Sequence, residues 1–131
     1  MVALLPTKVP YSTIESPFIT EHVEICKLVE NSSRDVQIAF ANELSLICAK
    51  ADINVWDLIN LANKHPRVNI LQPGCGVGGH CIAVDPYFIV ADFPMESQII
   101  GKAREINNYK SFWCAEPVSY THLTLPTICS V

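Results

Sequence analysis

Basic charge is in short supply in this chain. Nine Lys and Arg stand against thirteen Asp and Glu, a formal net charge of −4, and no basic block occurs. The electrostatic footprint of a DNA- or RNA-binding surface is therefore missing, and nucleic acid is not an expected partner. Long apolar runs are missing too, since none approaches the ~18 residues of a membrane-spanning helix. The opening "MVALLPTKVPYS" has one lysine and a short apolar patch broken by proline, a poor secretory signal. These absences lead to an expectation of a soluble, cytoplasmic protein with no membrane partner. Cysteine pairs are lacking as well. Six cysteines stand at 26, 48, 75, 81, 114 and 129, irregularly spaced and without a C-x-x-C motif. That is neither a secreted disulfide framework nor a zinc pattern, and no metal is expected. Cys26 and Cys48 fall in helical apolar patterns, where cysteine is expected to act as a small hydrophobe. What is plentiful is apolar surface. With 50% hydrophobic and 17% charged residues over 131 positions, the chain can bury one core and is too apolar for disorder.

Proline and glycine are absent from Glu21 to about Ala51, and this gap predicts one long helix. Cys26, Val29, Val36, Phe40, Leu44 and Ile47 recur along it as an apolar stripe, with Thr20 as the expected N-cap. So long an apolar helix suits a partner surface, which makes a subunit interface an expectation. "INVWDLINLANKH" predicts a second helix, capped by Asn54 with Asp57 three residues on and ended by Pro66. Val55, Leu58, Ile59 and Ala62 form its apolar face. Asp85-Pro86 is expected to open a third helix over "YFIVAD". "PMESQIIGKAREINN" predicts a fourth, with Ile99, Ile100, Ala103 and Ile106 facing inward. The fold class is thus mainly α. Residues 20–113 form one helical domain, 1–19 show no clear periodicity, and 114–131 read as a composition break, a tail expected to be non-native or disordered.

Between the helices lies "LQPGCGVGGHCIAVDP", residues 71–86. Gly74, Gly76 and Gly79 match G-x-G-x-x-G, the spacing that seats a pyrophosphate at a helix N-terminus. Pro73 before the loop, and a proline seven residues after Gly79, argue against the strand and long helix that this motif requires. A zinc site on Cys75, His80 and Cys81 is disfavoured because adjacent His80 and Cys81 reach one tetrahedral ion poorly. A third reading makes Cys81 a nucleophile, beside glycine backbone N–H groups able to hold an oxyanion, with Asp85 holding a water. A buried, inert Cys81 in a tight turn weighs about as much. Lys27 and Asn31, spaced i, i+4 on the long helix, add a charge and an amide on one face, and Arg34 and Asp35 continue that polar strip. A polar strip is usually no more than the solvated side of a helix.

Together the K-x-x-x-N helix and the G-x-G-G-x-C loop, in that order, resemble the central domain of the UDP-glucose/GDP-mannose dehydrogenase family over about residues 20–113. "GVGGHCIAVDP", with His80 before the cysteine, is similar to the N-acetylhexosamine branch rather than the UDP-glucose branch. The resemblance implies a helical central, dimerisation domain with a glycine-rich catalytic loop. It implies an NAD-dependent, four-electron oxidation of a UDP-sugar at C6, and a homodimer through the central helix. By motif match Cys81 would be the nucleophile, Lys27 an oxyanion stabiliser, Asn31 a positioner of the reacting oxygen or water, and Asp85 a proton carrier through water. Gly76, Val77, Gly78, Gly79, His80 and Arg67 would contact the substrate. The resemblance also implies that the NAD site lies in an N-terminal domain outside this chain, and that the chain is an inactive fragment. Cys75 stands where the family loop is expected to carry proline. Another UDP- or GDP-sugar 6-dehydrogenase, or a helical dimerisation module without activity, remain the alternative readings.

Overall fold

The computed structural model describes residues 17–119. Expectations placed on 1–16 and 120–131, Cys129 among them, lie outside the described residues. Four helices follow in order: α1 (Pro17–Ala51), α2 (Val55–Ala62), α3 (His80–Asp92) and α4 (Gln98–Ser119). Among the described residues there is no strand, and no helix is long and apolar enough to cross a membrane. α1 forms the spine, with α3 and α4 packed along it and on each other, and α2 against its C-terminal end.

α1 begins three residues ahead of the expected cap, at Pro17, whose fixed φ suits the first helical position. It ends where Asp52 takes a left-handed φ of 57° and Ile53 N–H reaches back 2.9 Å to the Cys48 carbonyl. That is the geometry of a glycine-type C-cap, carried here by aspartate, whose short polar side chain tolerates it. α2 starts as predicted: the Asn54 side chain accepts from Trp56 N–H at 2.9 Å and Asp57 N–H at 3.4 Å. It stops at Ala62, well short of Pro66, because Asn63 turns its amide onto the returning chain. Asn63 donates to the Ile70 carbonyl at 2.9 Å and accepts from Ile70 N–H at 2.7 Å. Of the α2 face, Ile59 is fully buried, whereas Leu58 is exposed.

Two helix starts were misplaced by the sequence reading. α3 opens at His80, directly after the glycine loop, and carries Pro86 in its interior. Proline removes one N–H and crowds the preceding turn, yet the packing of α3 on α1 and α4 holds it, and Pro86 is fully buried. α4 begins at Gln98 rather than at Pro94, after Ser97 closes the turn with its hydroxyl on the Phe93 carbonyl at 2.6 Å. It continues past Trp113, through Pro117, to Ser119.

The core is small-sided and polar. Ala39, Ala41, Cys48, Ile59 and Ala103 are its buried apolar residues. Asn31, Ser32, Asp35, Asn42, Ser45, Ser97, Arg104, Asn107 and Lys110 are buried with them. Small side chains let α1 and α4 approach closely, so a hydrogen-bonded network fits where large hydrophobes would not. The apolar stripe of α1 faces the other way: Val29, Phe40 and Ile47 are each more than half exposed, and Cys26 is exposed, not a core hydrophobe. Ile99, expected to face inward on α4, is 73% exposed. Asp35, expected to lie on a solvated strip with Arg34, is 0% exposed.

Candidate functional site

The two distant motifs meet. Asn31 on α1 donates its amide to the Asp85 carboxylate on α3 at 2.5 Å. Lys27 lies one turn before Asn31, and Cys81 one turn before Asp85, so the i, i+4 spacing places each on the same side of its helix as the bonded residue. A single hydrogen bond thus sets the register of the two pairs. Asn31 is buried and Asp85 half-buried, while Cys81 and Lys27 are exposed. The Lys27 ammonium lies 4.0 Å from the Glu30 carboxylate and is otherwise solvated. No hydrogen bond or ion pair joins it to Cys81 or Asp85 among the described residues.

Cys81 is the second residue of α3, and the position before the helix is Gly79, which offers no side-chain cap. The first-turn N–H groups therefore have no intrahelical acceptor and are oriented to receive an anion. Gly79 has φ +90°, and nothing lies within 4 Å of where a Cβ would stand on Gly78 or Gly79. This stretch borders open space beside Cys81, room in which a ligand can touch backbone. Gly76 answers a different need: at φ +149° it passes so close to Ser111 that a Cβ would collide with the serine hydroxyl. Val77 is half-buried between these glycines. His80 is exposed at the first turn of α3, and Arg67 is exposed in the preceding turn, its N–H on His65 Nδ1 at 3.3 Å. The structure joins Asn31 to Asp85, and Cys81 stands one helical turn before Asp85 on α3. The structure records no contact between Arg67 or His80 and these residues.

What anchors the loop was not foreseen. The Asn42 side chain accepts from Gly74 N–H at 2.9 Å and donates to Asn107 Oδ1 at 2.9 Å. Asn107 donates in turn to the Asp35 carboxylate at 2.8 Å, which also pairs with Arg104 at 2.6 Å. Arg104 continues to Asn108 at 2.9 Å, and Asn108 to the Tyr87 hydroxyl at 2.9 Å. Donation from Asn108, then from Arg104, holds the Tyr87 phenol below its ordinary pKa. This relay ties α1, α4, α3 and the start of the glycine loop into one unit. A sequence signal existed: Asp35 and Asn42 are seven residues apart, and Arg104 and Asn107 three, each pair on one helical face.

For a dinucleotide, the residues present do not fit. A helix does follow Gly79 at once, contrary to the sequence expectation, but no strand leads into the loop, and Gly76 is pressed onto α4 rather than open to a pyrophosphate. Nor do three His, Cys, Asp or Glu side chains converge to hold a metal among the described residues.

Residues 21–109 match the model of the UDP-glucose/GDP-mannose dehydrogenase family, central domain. The UDP-N-acetyl-D-mannosamine dehydrogenase of Escherichia coli (strain K12) is 70% identical over 95 residues, 72% of this chain and 23% of that protein. An NDP-N-acetyl-D-galactosaminuronic acid dehydrogenase of Ralstonia nicotianae is 61% identical over 95 residues, 72% of this chain and 22% of that protein. Among solved structures, the UDP-D-ManNAc dehydrogenase from Pyrococcus horikoshii superposes with a TM-score of 0.67 at 44% identity, over 72% of this chain and 23% of that one. The chain thus spans less than a quarter of the length of these relatives.

Proposed function

This chain belongs to the UDP-glucose/GDP-mannose dehydrogenase family, and from that premise we propose that it is the central part of an NAD-dependent UDP-N-acetyl-D-mannosamine 6-dehydrogenase. The reaction is the four-electron oxidation of the sugar C6 alcohol to a carboxylate, giving UDP-N-acetylmannosaminuronate. NAD supplies the hydride acceptor in this reading, and the described residues build no site for it. What carries the proposal is the Asn31–Asp85 bond, which aligns the Lys27 and Cys81 turns across two helices.

Loss of a first hydride from C6 and of the hydroxyl proton turns the alcohol into an aldehyde, and the Cys81 sulfur, giving up its proton, attacks that carbon. A C–S bond forms and the carbonyl electrons move to oxygen, giving a thiohemiacetal held on the chain. Loss of a second hydride leaves a thioester. Water then attacks that carbon, the C–S bond breaks, and the carboxylate leaves while sulfur regains its proton. Covalent capture keeps the aldehyde from escaping and divides the oxidation into easier steps. Lys27 and the open N–H groups of the first turn of α3 stabilise the oxyanions. Asp85, fixed by Asn31, takes the proton of the attacking water. The backbone from Gly76 to Gly79 lies along the sugar nucleotide, with Arg67 and His80 recruited to it. The exposed Val29, Phe40 and Ile47 face of α1 is where a second copy docks, making a homodimer. Unpaired thiols in a catalytic loop suit the reducing cytoplasm.

A chimera tests this reading: residues 21–109 replace the matching segment of the E. coli relative, and NADH formation is followed with UDP-N-acetyl-D-mannosamine and with other UDP-sugars. The chimera should oxidise the mannosamine compound, reducing two NAD per acid formed. Cys81→Ser should bind substrate and lose turnover by several orders of magnitude, and Lys27→Ala should lose about 10²–10³. Near-normal acid production by Cys81→Ser would refute the mechanism. Preference for another UDP-sugar would move the substrate within the family.

A further inference from the structure

A cavity of about 580 Å³ opens between the C-terminal end of α1, α2, the start of the glycine loop and α4, walled in part by Cys48, Trp56, Cys75, Lys110, Trp113 and Cys114. It brings a loop cysteine and a helix cysteine, far apart in sequence, to one wall. The contact of Gly76 with Ser111 and Asn107 presses the loop onto α4, so Cys75 sits beside the turn that carries Cys114. Both thiols line the same cavity, and burial, then the neighbouring Cys75, push the Cys114 thiol up from its ordinary pKa. Both are free, Cys75 exposed and Cys114 half-buried. Beside them the Lys110 ammonium is held 3.8 Å from the centroid of the Trp113 ring. Cys81 is not part of this wall.

We propose that Cys75 and Cys114 form a redox couple on this cavity, in which a hydroperoxide oxidises exposed Cys75 and Cys114 resolves it, so that a disulfide staples the glycine loop to α4 and leaves Cys81 as a thiol. In the first step the Cys75 sulfur attacks the peroxide. An S–O bond forms, the O–O bond breaks, sulfur loses two electrons, and the peroxide leaves as water or alcohol. In the second, the Cys114 sulfur attacks the sulfenic sulfur of Cys75. The S–S bond forms, the S–O bond breaks, and the hydroxyl leaves as water with the Cys114 proton. Cys75 suits the first step because it is exposed to the oxidant, and half-buried Cys114, on the same cavity, suits the resolving role. The couple does not depend on which sugar nucleotide the family reading assigns.

The test uses the reduced 131-residue chain, treated with graded hydrogen peroxide, blocked with N-ethylmaleimide, digested, and mapped by mass spectrometry without reductant. A Cys75–Cys114 linked peptide should appear, vanish on adding dithiothreitol, be lost in Cys75→Ser and in Cys114→Ser, and persist in Cys81→Ser. The oxidised chain should unfold at a higher temperature than the reduced one, because the bridge closes a long loop in the unfolded state. That shift should be absent in Cys75→Ser, whose exposed position makes it the variant least disturbing to the fold, with helical circular dichroism as the check. A bridge from Cys75 to any cysteine other than Cys114 overturns the proposal. So does Cys75 advancing to sulfinic acid while Cys114 stays unmodified.

Discussion

Arg104→Met should cost this domain far more stability than any surface change. Asp35 is 0% and Arg104 6% exposed, and the guanidinium meets the carboxylate at 2.6 Å. Removing the arginine leaves the Asp35 carboxylate buried with only Asn107 to donate to it, and a buried charge stripped of its partner costs about 3–5 kcal/mol. Loss of the Arg104 guanidinium from the Tyr87 ring, 5.4 Å from its centroid, adds roughly 0.5–1 kcal/mol. At roughly 0.05–0.15 kcal/mol per residue for a typical domain, that is a large share of the total. The double variant Asp35→Leu, Arg104→Met removes both charges together. It should recover most of the loss and fall short by about 1 kcal/mol for the bond Asn107 then lacks. Urea unfolding followed by helical circular dichroism measures all four proteins of the cycle. Single variants within 1 kcal/mol of the parent, or a double variant as unstable as the sum of the singles, would refute the view that the pair is buried and mutually dependent.

Two smaller predictions bear on the loop and on the end of the relay. Gly76→Ala should cost about 1–3 kcal/mol, since it adds backbone strain and a clash with Ser111, whereas Gly78→Ala meets open space and should be much milder. Hydrogen exchange at the loop amides reads the difference, and equal exchange in the two variants would contradict the close approach. The Tyr87 phenol, held below its ordinary value of 10.0 by Asn108 and then Arg104, is an acid whose folded pKa is depressed. Its stabilisation therefore appears as pH rises through that lowered value and is complete above 10.0. Tyr87→Phe should remove the lowest-pH limb of the tyrosinate absorbance titration, and an unchanged titration would show that the hydrogen bonds from α4 do not reach the phenol in solution.

Local chemistry made much of this protein readable from its residues. The absence of proline and glycine through α1, the Asn54 cap of α2 and the alternation of helices with one glycine-rich loop are decided within a few positions along the chain, so the mainly helical class was plain. So were the K-x-x-x-N and G-x-G-G-x-C motifs, because spacing on one helix or one loop needs no knowledge of neighbours. Only the tertiary structure decided which face each helix buries. The apolar stripe of α1 suggested a partner surface and its polar strip a solvated side, but α4 packs on that polar side, where small residues allow close approach and Asp35, Asn42, Arg104 and Asn107 hydrogen-bond one another. Partners more than sixty residues apart cannot be paired from periodicity, which reports a face and not what covers it. The start of α3 was misjudged for a related reason: a proline penalty of a few kcal/mol is a local rule, and the packing of α3 on α1 and α4, with Pro86 buried, outweighs it. The meeting of Asn31 with Asp85 was likewise invisible in the residues alone, since it depends on the angle and register at which α3 leaves the glycine loop and crosses α1.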